Sequence, residues 1–190
     1  YGVDPFATYL LDNRRIYISP VVNPDGYRFN QTNWDASGHT QLGFWRKNLR
    51  DNNLNSLVDD PGDGVDPNRN YGFQWGYDNA GSSPSAISET YRGPSAFSEP
   101  ETRAQRDKIV ALAPRTALSF HTYSDLVLFP WGYVSSPAPA ASAFQEWSDE
   151  LTRESGYQSG QGPRVLYSVN GEFCDWAYGD SLAKPRTFAW

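Results

Sequence analysis

The chain has 190 residues, a formal net charge of -6 and a pI near 4.8, a length that supports one domain burying roughly 70% of the surface its unfolded form exposes. Acidity without a lysine or arginine run removes the electrostatic footprint of a nucleic-acid binder. No apolar run approaches the roughly 18 residues a membrane span needs, and a single cysteine, Cys174, excludes an internal disulfide framework.

Methionine is absent, and the chain runs from Tyr1-Gly2-Val3 to Thr187-Phe188-Ala189-Trp190 with neither a targeting segment nor a polar tail, so both ends are expected to be cuts through a larger domain. A turn at Tyr1-Gly2-Val3-Asp4-Pro5 precedes a short helical patch around Phe6 to Leu11. Ile16-Tyr17-Ile18-Ser19-Pro20-Val21-Val22 alternates and is rich in β-branched residues, which predicts a strand with a bulge or its end at Pro20. Asn23-Pro24-Asp25-Gly26 predicts a turn. From Trp34 to Asn70 few apolar residues recur, and a long excursion of loops is expected, a length usually associated with function. Within it, Asp59-Asp60-Pro61-Gly62-Asp63-Gly64 is acidic like a calcium loop but lacks the bidentate glutamate, which argues against calcium.

Ser98-Glu99-Pro100-Glu101 carries a capping box with proline in the first turn, so a helix is predicted from here to about Ala113, turning Ile109, Val110, Leu112 and Ala113 inward. After Pro114, Thr116 to Phe120 alternates, predicting a short buried strand that delivers His121 to its carboxyl end, where open α/β sheets place their ligands. A second apolar run begins at Leu126-Val127-Leu128-Phe129 and is broken by Pro130 and Gly132. Phe144, Trp147 and Leu151 recur on one face of another helix, stopped at Gly156. Arg164 to Tyr167 reads as strand-like, Asn170-Gly171 as a turn, and Phe173 to Tyr178 as mixed strand and loop.

The chain has two histidines. His121, at a strand end with Tyr123 just beyond it, is a candidate metal ligand or general base; a histidine capping a strand is the alternative on this stretch alone. His39 has no glutamate three residues on and reads as a loop histidine. Arg46 beside Trp45, and Asn68-Arg69-Asn70, read in isolation as solvated surface groups.

Together, Asn23-Pro24-Asp25-Gly26-Tyr27, Phe44-Trp45-Arg46-Lys47-Asn48, Gly64-Val65-Asp66-Pro67-Asn68-Arg69-Asn70-Tyr71, Ser88-Glu89-Thr90-Tyr91-Arg92-Gly93, Ser119-Phe120-His121-Thr122-Tyr123-Ser124 and Asp175-Trp176 follow the order and spacing of one family. The chain resembles the zinc metallocarboxypeptidases, the carboxypeptidase A-like enzymes, and most of all their bacterial carboxypeptidase T-like members, from near Tyr1 to Trp190. The resemblance implies an α/β fold, a mixed central β-sheet flanked by helices on both faces, in a single domain over residues 1–190 that is incomplete at both ends. The absent strands and helices would leave sheet edges and apolar surface exposed.

The same resemblance implies a zinc enzyme that removes C-terminal residues from peptides and proteins, acting outside the cell as a monomer. Asn68 and Arg69 match the pair that holds the terminal carboxylate, a task suited to arginine's planar fork. Arg46 matches the arginine that stabilises the oxyanion, and His121 matches a zinc ligand. Tyr167 matches the mobile tyrosine that closes over substrate, and Tyr123 a residue of the neighbouring subsite. Two departures stand out. A catalytic zinc needs about three protein ligands, yet the family's His-x-x-Glu turn has no counterpart here. Counting without gaps from Asp175-Trp176 puts the family's general-base glutamate at Ala189, which cannot take a proton, so the chain as it stands is expected to be a poor hydrolase. The pocket segment Leu166 to Cys174, with Thr187, implies a mixed preference: Leu166 and Val169 favour apolar C-terminal residues, Glu172 basic ones. A reading from a different class is a binding module that keeps Asn68 and Arg69 without zinc or base.

Overall fold

The computed structural model describes residues 2–40, 43–58, 60–182 and 184–190. In chain order the elements are α1 (Pro5–Asn13), α2 (Pro24–Ala36), a 3-10 turn (Pro67–Arg69), α3 (Pro100–Leu112), β1 (Thr116–Ala117), β2 (Leu126–Phe129), α4 (Ala141–Thr152), β3 (Gln158–Gln161), α5 (Gly162–Val165), α6 (Phe173–Gly179) and β4 (Phe188–Ala189). Proline in the first turn of α1, α2, α3 and the 3-10 turn costs no hydrogen bond, because that backbone N–H has no helical partner anyway. Asp4 caps α1 by accepting from the Ala7 amide, and Asn23 caps α2 by accepting from Gly26.

The α/β class expected from the sequence holds. Within it, the described strands form two parallel pairs: β1 with β4, in register Thr116 to Phe188 and Ala117 to Ala189, and β2 with β3, from Leu126 opposite Gln158 to Phe129 opposite Gln161. Parallel neighbours need a crossover, and α4 supplies it between β2 and β3. Two apolar clusters form the core. Tyr71, Phe173, Trp176, Ala177 and Ala189 make one, and Phe129, Ala138, Phe144, Tyr178 and Trp190 the other. The period-2 alternation of β4 sends Ala189 to the first cluster and Trp190, just beyond the strand, to the second, so this edge joins them. Phe144, fully buried against Phe129, Tyr178 and Trp190, contributes on the order of 2 kcal/mol through burial alone.

Several expectations are corrected. The segment Ile16 to Val22 forms no strand: no described strand pairs with it, and Ile18 is 82% exposed. The predicted turn at Asn23 is the cap and first turn of α2, and Phe173 to Tyr178 is helical rather than strand-like. Arg164 and Val165 end a short helix, while the strand expected there lies earlier, at β3. In α3, Ile109 packs on the first cluster, but Val110, Leu112 and Ala113 stay exposed. The strand before His121 is short and open: only Thr116 and Ala117 pair, and Phe120 is 90% exposed.

Candidate functional site

The site grows from one buried carboxylate, Asp66, set at the head of the 3-10 turn. Its Oδ1 accepts from the Asn68 amide at 2.9 Å, capping the turn, and its Oδ2 accepts from Nε of Arg46 at 2.7 Å. Nη1 of Arg69 lies 3.7 Å from the same Oδ2. One aspartate thus gathers Arg46 and Arg69 although they lie far apart in sequence. Desolvation works against the charge on Arg46, but its pairing with Asp66 outweighs that and raises its pKa, with smaller help from Tyr167 and Glu89.

Arg69 itself is 2% exposed. Its Nη1 donates to the carbonyl of Asn68 at 2.8 Å, whereas Nε is the one buried side-chain nitrogen or oxygen among the described residues without a hydrogen-bond partner. Leaving a desolvated N–H unpaired costs about 1–3 kcal/mol, and such exceptions call for a reason, of which a ligand position is one. Asn68 turns its Oδ1 to the Phe173 amide at 3.1 Å, tying the turn to the start of α6.

Behind the turn, Asn70 is fully buried and pins three segments. Its Nδ2 faces the carbonyls of Arg92 and Ser95 and the Ser98 hydroxyl, while its Oδ1 accepts from the Glu99 amide and the Thr102 hydroxyl. Asn48 acts in the same way in the adjoining layer, pairing through Nδ2 with Glu99 and through Oδ1 with the Val65 amide. Lys47 is buried too; its Nζ donates to the carbonyls of Pro61 and Ala86 and sits over the Trp45 ring, and burial lowers its pKa against the pull of nearby carboxylates. Neither Asp66 nor Asn70 stands out on its own in the sequence. The signal for Asp66 is nevertheless there, since Asp-Pro-Asn is a cap followed by a first-turn proline.

His121 lies beyond β1 with its Nε2 3.1 Å from the Ser119 hydroxyl. The side chain is open to solvent, yet the surrounding protein lowers its pKa, first by desolvation and then through Arg46 and Arg69, with Asp66 opposing. The imidazole is therefore neutral at pH 7, the form a metal ligand needs. Tyr167 is 53% exposed and near enough to Arg46 to favour its charge. Tyr123 is 92% exposed. His39 is a surface residue, as expected, paired with Asp35 at 3.1 Å and stacked on Trp34. In the acidic loop, Asp59 lies outside the described residues, while Asp60 and Asp63 accept hydrogen bonds from Gly62, Asn53 and Asn52 within the loop.

Ala189 is fully buried in the first core cluster, with Tyr71, Phe173, Trp176 and Ala177. A carboxylate at that position would be desolvated among aromatic rings, so residue 189 packs the core. On the other flank of Arg69, Glu172 is held by its surroundings well above the usual carboxylate range, up to about 8, by burial first, then by Asp175, with Arg69 opposing. Asp175 is raised to about 7, burial outweighing the hydrogen bonds that its oxygens accept from the amides of Gly132 (2.8 and 3.0 Å) and Tyr133 (3.1 Å).

Such a fold, with paired arginines on a buried aspartate and a histidine at a strand end, is that of the metallocarboxypeptidases. The family model for zinc carboxypeptidases matches residues 1–188, and the chain belongs to that family. Carboxypeptidase A1 of Rattus norvegicus is 34% identical over 195 residues, spanning 99% of this chain and 43% of the relative. Carboxypeptidase B of Astacus astacus is 34% identical over 194 residues, 94% of this chain and 57% of the relative. Among solved structures, thrombin-activatable fibrinolysis inhibitor superposes with a TM-score of 0.77 at 30% identity, covering all of this chain and 46% of the other. The bovine form of that protein, in complex with tick carboxypeptidase inhibitor, gives 0.72 at 28%, covering 96% and 62%. The chain therefore spans about half the length of the curated relatives it matches.

Zinc is the family's metal. His121 has the right donor chemistry and protonation, but the described residues contain no group of three histidine, cysteine or carboxylate side chains able to hold a metal ion. One imidazole does not fix a catalytic zinc. The described residues thus make the organic side of a site and do not by themselves make a metal centre.

Proposed function

We propose that this chain grips the free C-terminus of peptides and proteins, as the substrate-holding portion of a zinc carboxypeptidase that hydrolyses the last peptide bond. The observation that carries this reading is the buried Arg69 guanidinium with its unpaired Nε, beside Arg46 on a single shared aspartate. Two guanidinium cations against one carboxylate leave a net positive charge, and a second carboxylate restores the balance. Arg69 and Asn68 take the terminal carboxylate. Arg46, partly open and held charged by Asp66, faces the oxyanion that forms at the neighbouring carbonyl, a role worth on the order of 3 kcal/mol in the transition state. Tyr167 closes over the bound end, Tyr123 borders the adjacent subsite, and His121 supplies one ligand toward the family's zinc. The protein acts outside the cell as a monomer, in keeping with the family resemblance.

A second reading, a module that holds peptide ends without cutting them, is favoured by the lone imidazole and by the core position of Ala189. One set of measurements tests both. The purified chain is titrated with a short peptide bearing either a free or an amidated C-terminus, assayed for zinc, and offered a blocked dipeptide for hydrolysis. At least tenfold tighter binding of the free end is expected, and equal affinity for the two ends would overturn the carboxylate-gripping reading. Zinc with turnover supports the enzyme; binding with neither supports the module.

A further inference from the structure

We propose that Asn170 is a positioning residue for the carboxylate grip, the latch by which the loop 75–82 holds residues 170–173 across the Asn68–Arg69 turn and so aims the Asn68 amide at a terminal carboxylate. This rests on the carboxylate-gripping reading and names what keeps that site in shape. Asn170 is 1% exposed, and both polar atoms of its side chain are engaged by the loop. Its Nδ2 donates to Asp78 Oδ1 at 2.7 Å, its Oδ1 accepts from the Ser82 hydroxyl, and its backbone amide donates to the Gly81 carbonyl at 3.3 Å. Gly81 permits this approach, since a Cβ there would lie 2.6 Å from Asn170 Nδ2. The loop is held in turn by bonds of its own. Asp78 Oδ1 also accepts from the amides of Ala80 and Gly81, at 3.0 and 2.7 Å. Arg92 lies over the Trp75 ring and donates through Nη1 to the Asp78 carbonyl and to Asn79 Oδ1, both at 3.0 Å.

The three residues that follow carry the latch to the site. The Gly171 carbonyl accepts from the Tyr71 amide at 2.9 Å, and at φ +70° this glycine passes so close to the Arg69 carbonyl that a Cβ would run into it. The Phe173 amide then donates to Asn68 Oδ1 at 3.1 Å. That last bond decides which end of the Asn68 amide meets a ligand. A backbone N–H can only donate, so the atom facing it is the carbonyl oxygen. The Nδ2 of Asn68 makes no hydrogen bond to the described residues and is left as a donor on the same turn as Arg69 with its unpaired Nε. Two donors suit a carboxylate. Freed from Phe173, the Asn68 amide is able to turn over and present its oxygen, an acceptor that repels the same group. A buried polar network whose members are all satisfied fixes one arrangement rather than several, which is what the Asn170 contacts supply.

The test exchanges the partners of the latch and measures affinity for a short peptide with a free or an amidated C-terminus. Asn170→Asp sets two carboxylates against each other in place of a donor and an acceptor. It is expected to lower the free-end affinity about tenfold while changing the amidated-end affinity little. Adding Asp78→Asn restores a donor and an acceptor at unchanged net charge: the amide at position 78 donates to the carboxylate at position 170, which still accepts from Ser82. The double exchange is expected to recover most of the preference for the free end, and it is this preference, not binding or stability as a whole, that the latch controls. In the unaltered protein the free-ended peptide is expected to slow hydrogen exchange at the Gly81 and Asn170 amides more than in α4, because ligand and latch stabilise one another. That measurement decides alone if either variant does not melt cooperatively, and equal slowing in the two regions overturns the proposal. A folded Asn170→Asp protein that keeps the full preference, or a lost preference that the double exchange leaves lost, also overturns the latch. Indifference of the unaltered protein to amidation overturns the carboxylate reading and the latch with it.

Discussion

Residues 43–102 and residues 2–40 obtain their order by opposite means. The first segment contains little regular structure, yet Asn48, Asp63, Asp66, Asn70, Glu99 and Thr102 are buried in it and bonded to backbone and to one another. The second contains two helices, but α1 buries no residue and α2 buries only Gly26, while Phe6, Tyr9, Leu11 and Ile18 face solvent. Irregular chain can be specified tightly when each buried polar group has a partner, because breaking one leaves the other unsatisfied. Regular helix without a buried face relies on its caps. The candidate site lies in the first kind of structure, which suits groups that must hold charge in a fixed place.

Four experiments probe this contrast. Asp66→Ala should have the largest effect, a loss of about 3–5 kcal/mol in denaturant unfolding, since it strands the buried Arg69 charge and frees Arg46. Asn70→Ala should cost about 2–4 kcal/mol, because it orphans the buried Glu99 amide and takes one of two partners from the Thr102 hydroxyl and from the carbonyls of Arg92 and Ser95. Stability is also expected to depend on pH. Glu172 and Asp175 have folded pKa values raised to about 8 and about 7, so their contribution is complete below the unfolded values near 4 and is lost as pH climbs through 7 to 8. The melting temperature should fall between pH 5 and pH 8, and fall by less in Glu172→Gln. The smallest effect belongs to the helical segment: Asp4→Ala removes the cap of α1, worth about 1 kcal/mol, and should speed amide exchange in Pro5–Asn13 while leaving the global melt nearly unchanged. A global loss as large as that of Asn70→Ala would erase the distinction between the two regions.

The elements legible in the sequence are those whose local signals and packing agree. Helix α3 follows its Ser-Glu-Pro-Glu start, although Glu99 spends its carboxylate on Arg50 and Asn48 rather than on the cap. Helix α4 follows the spacing of Phe144, Trp147 and Leu151, and β2 follows its apolar run. Helix α2 is hidden because Asn-Pro-Asp-Gly is at once a turn and a cap with proline in the first helical turn, and what decides is tertiary: Gly26 lies so close to the Lys47 carbonyl that a Cβ there would sit 2.7 Å from it. Helix α6 is hidden because its aromatic residues face two different core clusters, which looks like alternation. At the site, Arg46, Asn68, Arg69 and His121 can be named from the family's motifs. The carboxylate that assembles them cannot be read from spacing, since Asp66 reaches Arg46 across the loop.

Whether Arg69 and its neighbours hold a terminal carboxylate is decided by a crystal structure of the chain with a short peptide ending in a free carboxylate. A carboxylate oxygen is expected within about 3 Å of the Arg69 guanidinium, its Nε now bonded, and the Asp66 pairing with Arg46 retained. A peptide bound elsewhere, with Arg69 Nε still unpaired, would contradict this assignment.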